Sequence, residues 1–120
     1  MTGRIKENTN LIEVRQGDSF TIDICMKKDN EAIDLTGSEV KMQCRKADDT
    51  VLWTLIGTDV DVLNGKVALV MTPTHTSIDV GDYKTDIEVT FADGTVNTIF
   101  PQDVNKIGTL RITEQVTRGS

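Results

Sequence analysis

His75 is the only histidine of the chain and the first candidate for acid–base or nucleophilic chemistry. It lies in a polar stretch beside Pro73 and Thr74. A catalytic histidine needs a nucleophile within hydrogen-bond reach, and no local motif of this sequence supplies one. We therefore interpret His75 as an exposed loop residue, and we predict no catalytic residues and no enzymatic activity.

The 19 Asp and Glu residues could form acid–base pairs or hold a metal ion. Asp79, Asp82 and Asp86 fall near one end of a predicted sheet, and Asp59 and Asp61 share an outward strand face. Calcium needs several oxygen ligands that converge on one point, and no loop of the sequence has the spacing that supplies them. The glycines are scattered among turns, so no phosphate-binding loop is indicated. We predict solvated acids, no metal site and no cofactor.

Cysteine number and net charge exclude further classes of protein. Cys25 and Cys44 are too few and too far apart for a zinc site or a disulfide scaffold, so both are predicted to be free thiols. A formal net charge of -6 argues against nucleic-acid binding, which requires clustered cations. No apolar run approaches the roughly 18 residues of a membrane span, and the N-terminus lacks the apolar stretch of a signal peptide. We expect no nucleic-acid partner, no membrane partner and synthesis in a reducing cytoplasm.

Strands are the elements that must position these side chains. Phe20, Ile22, Ile24 and Met26 alternate with more polar residues, which is the period of a strand with one buried face. Turn signals recur about every ten residues, and no stretch has a helical period. The 120 residues therefore predict a single all-β domain, a sandwich or a barrel, with no substantial helix.

Four two-residue turns are predicted, at Asp29–Asn30, Asp48–Asp49, Asn64–Gly65 and Asp93–Gly94. Each turn sets apolar residues opposite one another on one face of a hairpin, whereas a shift of one residue would expose them. The predicted opposite pairs are Met26–Ile33 and Ile24–Leu35, Cys44–Trp53 and Met42–Leu55, Val60–Leu69 and Thr58–Met71, and Val89–Thr98 and Ile87–Phe100.

A longer connection, residues 73–81, is predicted to cross between sheets. Tyr83 follows it at the place where a sandwich often has a corner tyrosine that hydrogen-bonds back to the preceding loop. A last short strand is predicted over Thr109–Thr113. We expect a flexible segment over residues 1–10, one domain over 11–113 and a tail over 114–120.

Four apolar residues, Leu52, Ile56, Ala68 and Val70, are predicted to point away from the hairpin faces that form the core. Apolar side chains on a nominally wet face indicate a partner surface. The alternative is that these strands are buried on both sides. Open strand edges of such a domain could also pair or dock subunits in a repeating assembly.

Four further motifs stand out along the chain. They are Gln16-Gly17-Asp18-Ser19-Phe20, the run from Asp29 to Asp34-Leu35-Thr36-Gly37, Gly81-Asp82-Tyr83-x-x-Asp86-Ile87-x-Val89-x-Phe91-x-Asp93-Gly94-x-Val96-x-Thr98-Ile99, and Gly108-x-Leu110-x-Ile112-x-x-x-Val116-Thr117. Together they resemble immunoglobulin-like β-sandwich domains of tailed-bacteriophage virion proteins, of which the N-terminal domain of siphophage upper baseplate proteins is the best-known type. Ala32 stands where these domains often have proline.

The resemblance implies an antiparallel immunoglobulin-like β-sandwich of about eight to ten short strands. It also implies a non-enzymatic virion subunit of a tail, baseplate, neck or capsid decoration, without a cofactor. Its partners would be identical copies or other virion proteins. We expect such a protein to be made in the host cytoplasm and to end in the virion.

A carbohydrate-binding module of a host-attachment apparatus is the alternative hypothesis. Sugar sites stack a ring on exposed aromatic side chains. The aromatic residues of this chain all take inward positions in the predicted registers, which disfavours this function. They are Phe20, Trp53, Tyr83, Phe91 and Phe100.

Overall fold

The computed structural model describes residues 4–5, 10–101 and 107–114. The described residues form twelve strands, a 3₁₀ turn at Val62–Asn64 and one short helix, α1, at Pro73–Thr76. The strands are β1 (Arg4–Ile5), β2 (Leu11–Arg15), β3 (Phe20–Cys25), β4 (Lys27–Lys28), β5 (Glu31–Ala32), β6 (Glu39–Arg45), β7 (Val51–Ile56), β8 (Thr58–Asp61), β9 (Lys66–Met71), β10 (Gly81–Thr90), β11 (Val96–Phe100) and β12 (Thr109–Thr113).

Two sheets form the body of the molecule. The large sheet has the order β1-β2-β12-β10-β6-β7, and β11 also pairs with β10. The small sheet has the order β3-β9-β8, and β4 and β5 form a separate ribbon. The all-β sandwich predicted from the alternation is confirmed, and three of its strands span only two residues.

One apolar core lies between the sheets. Alternate residues of several long strands are buried, as in β6, where Val40, Met42 and Cys44 are buried and the residues between them are not. Burial of one strand face on each sheet is the dominant stabilising term in such a sandwich. The core residues are Ile12, Val14, Phe20, Ile22, Leu35, Val40, Met42, Cys44, Val67, Leu69, Met71, Ile87, Val89, Phe100, Leu110 and Ile112.

The large sheet is not purely antiparallel, which corrects the predicted strand arrangement. β2 and β12 run parallel, with Ile12 opposite Leu110 and Val14 opposite Ile112. A parallel pair requires a long crossover, and here nearly the whole sandwich lies between the two strands. Local turn signals predict only hairpins, so they could not reveal this pair. β1, within the segment predicted to be flexible, pairs with β2; most of residues 1–10 and 114–120 lies outside the described residues.

The hairpin at Asp48–Asp49 has the predicted register. Cys44 lies opposite Trp53, and Met42 lies opposite Leu55. A local irregularity between Cys44 and Arg45 accommodates the turn without changing these pairs. The prediction is therefore confirmed for the strand pair β6–β7.

The predicted register at Asn64–Gly65 is wrong. Thr58 lies opposite Ala68 rather than Met71, because residues 62–64 form a 3₁₀ turn and lengthen the connection. Gly65 closes it with a φ of 73°, and a Cβ there would lie 2.5 Å from the carbonyl oxygen of Met26. Only glycine satisfies both constraints.

The other two hairpins are partly as predicted. Ile87 lies opposite Phe100, but a bulge after Ile87 places Val89 opposite Asn97 instead of Thr98. In the first hairpin, the main-chain N–H of Ile33 donates to the carbonyl of Met26 at 3.0 Å, as predicted. Ile24, however, pairs with Val67 of β9, because the second arm of this hairpin ends after two residues.

The connection after β9 has the predicted corner. The hydroxyl of Tyr83 donates to the main-chain carbonyl of Asp79 at 2.5 Å, which confirms the hydrogen bond back to the preceding loop. The connection itself begins with α1, a single helical turn that opens at Pro73. Proline at the first helical position needs no N–H partner, so it suits this start.

Candidate functional site

His75 has a structural role in the crossover. It is half-buried in α1 rather than exposed in a loop, which corrects the prediction. Its Nδ1 accepts a hydrogen bond from the main-chain N–H of Thr72 at 3.0 Å, so the ring caps the start of its own helix. Its ring also meets that of Trp53 edge to face, with centroids 5.0 Å apart. No hydrogen bond of the described residues joins this ring to a cysteine, serine or carboxylate side chain.

The acidic residues have turn and surface partners. Asp82 accepts hydrogen bonds from Arg111, at 2.8 Å from its Nε, and this hydrogen bond holds the pKa of the Asp82 carboxyl below its usual value. Asp34, Asp48 and Asp93 each accept the main-chain N–H of the residue two positions later, the hydrogen bond of an Asx turn. Within the described ranges, no three acidic, histidine or cysteine side chains are grouped to hold a metal ion.

The two cysteines are free thiols, as predicted. Cys44 is fully buried in the core, and this burial raises the pKa of its thiol to about 12. Cys25 is exposed on β3, opposite Lys66. Cys25 lies on β3 of the small sheet, whereas Cys44 lies on β6 of the large sheet.

The four residues predicted to form a partner surface lie on two different sheets. Leu52 and Ile56 belong to β7 of the large sheet, whereas Ala68 and Val70 belong to β9 of the small sheet. Ile56 and Val70 are 48% and 41% exposed, whereas Leu52 is half-buried and Ala68 is buried at 8%. The structure therefore does not join these four residues into one surface.

A more coherent surface lies along residues 51–61, which we call the edge segment. It contains β7, which is an edge strand of the large sheet, and β8, which is an edge strand of the small sheet. In the part of the chain that the structure describes, no strand pairs with the outer side of either one. Among the described residues, eight large hydrophobic side chains are exposed, and four of them lie in this segment or just after it: Val51, Ile56, Val60 and Leu63.

Gly57 allows the edge segment to pass from one sheet to the other. A Cβ at this position would lie 2.6 Å from Cγ1 of Val67 and 3.2 Å from Cβ of Val40, so the chain here touches both sheets. The main-chain N–H of Gly57 donates to the carbonyl of Val40 at 2.8 Å. The two edge strands are thus held next to each other at one side of the sandwich.

The composition of β7 distinguishes this edge strand, but the predicted partner surface was not based on it. β7 reads Val-Leu-Trp-Thr-Leu-Ile and contains no charged residue. Most edge strands of soluble proteins carry a lysine, a proline or an inward charge that discourages pairing with other chains. β7 has none of these features.

None of the five aromatic residues is exposed. Phe20 and Phe100 are buried, and Trp53, Tyr83 and Phe91 are half-buried against the core. The structure therefore offers no exposed aromatic ring on which a sugar could stack. None of the helical residues described forms a segment long and apolar enough to cross a membrane.

Comparison with known proteins gives three findings. The crystal structure of CopC from Methylosinus trichosporium OB3b matches with a TM-score of 0.49 and 10% sequence identity, over 88% of this chain and 85% of that one. No curated protein sequence matches the chain. The sequence model of the BppU N-terminal domain, the N-terminal domain of the phage baseplate upper protein, matches residues 1–101. Because this match covers most of the 120 residues, the chain belongs to the family of BppU N-terminal domains.

Proposed function

We propose that the chain is a non-enzymatic structural subunit of a tailed-phage virion that acts through contacts with other protein subunits. The observation that carries this proposal is the family match over residues 1–101, which makes a phage baseplate component the first choice. A tail, neck or capsid-decorating position is the next choice within the same proposal. The virion is accordingly the proposed location.

The surface chemistry supports assembly over catalysis. Two of the side chains considered for catalysis, His75 and Asp82, form hydrogen bonds with Thr72 and Arg111. The edge segment combines unpaired strand edges with exposed Val51, Ile56 and Val60. Open edges and apolar side chains together favour docking of another protein chain.

The charge distribution supports protein partners over other partners. The net charge of -6 repels a nucleic-acid backbone and an anionic membrane surface alike. The edge segment contains Asp59 and Asp61 but no lysine or arginine, and Lys66 of β9 lies opposite Asp61. A protein subunit can match such a surface with apolar contacts and a few basic residues.

Mass spectrometry of purified particles tests this function. Particles from a lysate are banded twice in a density gradient, and peptides of this chain are quantified against the major capsid protein. We expect a fixed molar ratio in every particle fraction. Deletion of the gene, with a plasmid copy as the complementation control, should remove the protein from the particles and reduce assembly or infectivity.

Absence of the chain from purified particles would contradict the proposed function. If the chain is abundant in the lysate but absent from the banded particles, it is not a virion subunit. An abundant host protein of similar size, followed through the same gradient, controls for carry-over.

A further inference from the structure

We propose that Asn64 is a deamidation site that the turn over residues 61–65 keeps unreactive while the chain is folded. Asn64 is the only asparagine of the sequence that is followed by glycine. Glycine has no Cβ to hinder its nitrogen, so the main chain attacks an asparagine side chain readily in an Asn-Gly pair. The inference concerns five residues and is independent of the virion role proposed above.

The reaction has two balanced steps and needs only a base and water. A hydroxide ion or buffer base removes the main-chain N–H proton of Gly65, and the nitrogen attacks Cγ of Asn64. The new bond closes a five-membered succinimide ring, while the bond from Cγ to Nδ2 breaks and Nδ2 takes up a proton and leaves as ammonia. Water then opens the ring at either carbonyl carbon, which gives aspartate or isoaspartate. In isoaspartate the main chain runs through Cβ and Cγ, so it is longer by one carbon atom.

Hydrogen bonds and burial shield the attacking nitrogen in the folded chain. The N–H of Gly65 donates to the main-chain carbonyl of Val62 at 3.1 Å, and the carbonyl of Gly65 accepts the N–H of Met26 at 2.9 Å. Gly65 is buried, although Asn64 beside it is exposed. A base therefore reaches this N–H only when the turn opens.

The conformation of the turn also opposes ring closure. Asn64 is the last residue of the 3₁₀ turn, and Gly65 follows in the left-handed region with a φ of 73° and a ψ of 23°. The nitrogen of Gly65 reaches Cγ only if the peptide between the two residues rotates about the Cα–C bond of Asn64, away from the ψ of a 3₁₀ turn. This rotation breaks the hydrogen bond from Gly65 to Val62.

Asp61 holds the group that must leave. Nδ2 of Asn64 donates to Oδ2 of Asp61 at 2.9 Å. This hydrogen bond spans the turn and has to break before ammonia can depart. Both side chains are exposed, so we expect its effect to be that of one solvent-accessible hydrogen bond.

The isoaspartate product does not fit the folded turn. One extra main-chain atom before Gly65 would shift this residue relative to both Val62 and Met26. β9, the central strand of the small sheet, begins at the next residue, Lys66. Protection of Asn64 therefore preserves the start of a central strand.

Peptide mapping of the full chain by mass spectrometry tests the protection. The chain is incubated at about pH 8.5 in buffer and in guanidinium chloride, and a synthetic peptide of residues 59–67 in both solvents is the unprotected reference. The tryptic peptide of residues 47–66 contains no other asparagine or glutamine, so its change from amide to acid reports Asn64 alone. A sample taken at time zero corrects for reaction during digestion. We expect the reaction to be at least about tenfold slower in the folded chain than in the denatured chain, because the turn must open first.

Asp61→Ala tests the side-chain hydrogen bond. Loss of the acceptor weakens the turn and should raise the rate in the folded chain about threefold, the effect of one exposed hydrogen bond. Asp59→Ala is the matched control, because it removes a carboxylate from the same strand at a position opposite Val67, and it should leave the rate unchanged. Circular dichroism of each variant establishes that the sandwich has folded.

Two results would overturn the inference. A rate in the folded chain equal to that of the synthetic peptide would show that the turn does not shield Asn64. Equal rates for Asp61→Ala and Asp59→Ala would show that the hydrogen bond to Asp61 has no part in the protection. Neither result bears on the virion role, which the particle experiment tests separately.

Discussion

The indole Nε1 of Trp53 donates a hydrogen bond to the main-chain carbonyl of His75 at 3.1 Å. Trp53 lies in β7, the edge strand of the large sheet, and His75 lies in the connection that follows β9 of the small sheet. The same two residues meet through their rings. This pair therefore fastens the edge strand to the opposite sheet at the point where another chain is proposed to dock.

Trp53→Phe tests how firmly this contact holds the edge. The variant keeps an aromatic ring but leaves the carbonyl of His75 without its donor, so we expect a loss of about 1–2 kcal/mol in the free energy of unfolding. Urea denaturation followed by circular dichroism measures it, because the variant has no tryptophan fluorescence. Thr54→Val, an exposed change on the same strand, should stay within about 0.5 kcal/mol. An unchanged midpoint for Trp53→Phe would show that the hydrogen bond is dispensable.

Gly57→Ala tests the passage between the sheets. The added methyl group would lie 2.6 Å from Cγ1 of Val67, so the variant should lose about 1–3 kcal/mol of stability through overpacking. The same change should cost less in a Val67→Ala background, because the contacting methyl is then absent. Chemical denaturation of all four proteins of this cycle measures the coupling. Additive costs would mean that Gly57 is needed for another reason.

The two thiols should differ sharply in reactivity. Cys44 is buried, and burial raises the pKa of its thiol to about 12, so little of it is thiolate at pH 8. Cys25 is exposed. Titration with a chromogenic disulfide reagent at pH 8 should modify one thiol per folded chain and two in denaturant. Cys25→Ser should abolish the fast reaction in the folded protein, whereas rapid modification of Cys44 would contradict the core assignment.

Three aspartates should make the fold sensitive to acid. Hydrogen bonds from threonine two positions later hold the pKa values of Asp34, Asp48 and Asp93 below their usual value, mainly through the hydroxyl for the first two and the main-chain N–H for Asp93. The unfolded pKa of aspartate is about 3.9, so this stabilisation is complete above that value and is lost as the pH falls through the lower folded pKa values.

The corresponding measurement is the urea midpoint between pH 6 and pH 2.5. A triple Asp→Asn variant at these positions keeps an oxygen acceptor but cannot titrate there. Its midpoint should fall less steeply below about pH 4 than that of the natural chain. Parallel curves for the two proteins would remove these turns as the source of acid sensitivity.

Local signals predicted the parts of the fold that depend on neighbours in sequence. The pairs Cys44–Trp53 and Met42–Leu55 followed from alternation on both arms, although Arg45 lies opposite Val51 and a bulge next to it restores the predicted register. The Asn64–Gly65 register failed because Asp61 accepts a hydrogen bond from the side chain of Asn64 at 2.9 Å and a 3₁₀ turn forms between them. Both a two-residue turn and a longer connection would place Gly65 at the bend. Residue types alone therefore could not distinguish between these two connections.

Local sequence patterns were also insufficient to predict the partner surface. Alternation predicted that Leu52 points away from the face of Trp53 and Leu55, but a register shift leaves Leu52 opposite no residue of β6, and it packs against the core with those two residues. Local patterns also could not tell which strand lies at a sheet edge, because strand order is set by contacts that are distant in sequence. Ala68 is buried at 8% in the central strand of the small sheet, a position that no local pattern reveals.

A cryo-electron microscopy reconstruction of purified particles tests the central claim most directly. It would be compared with particles from a strain that lacks this gene. The account predicts density for the sandwich at fixed positions in the natural particle and loss of that density in the deletion strain. Identical maps from the two particles would contradict it.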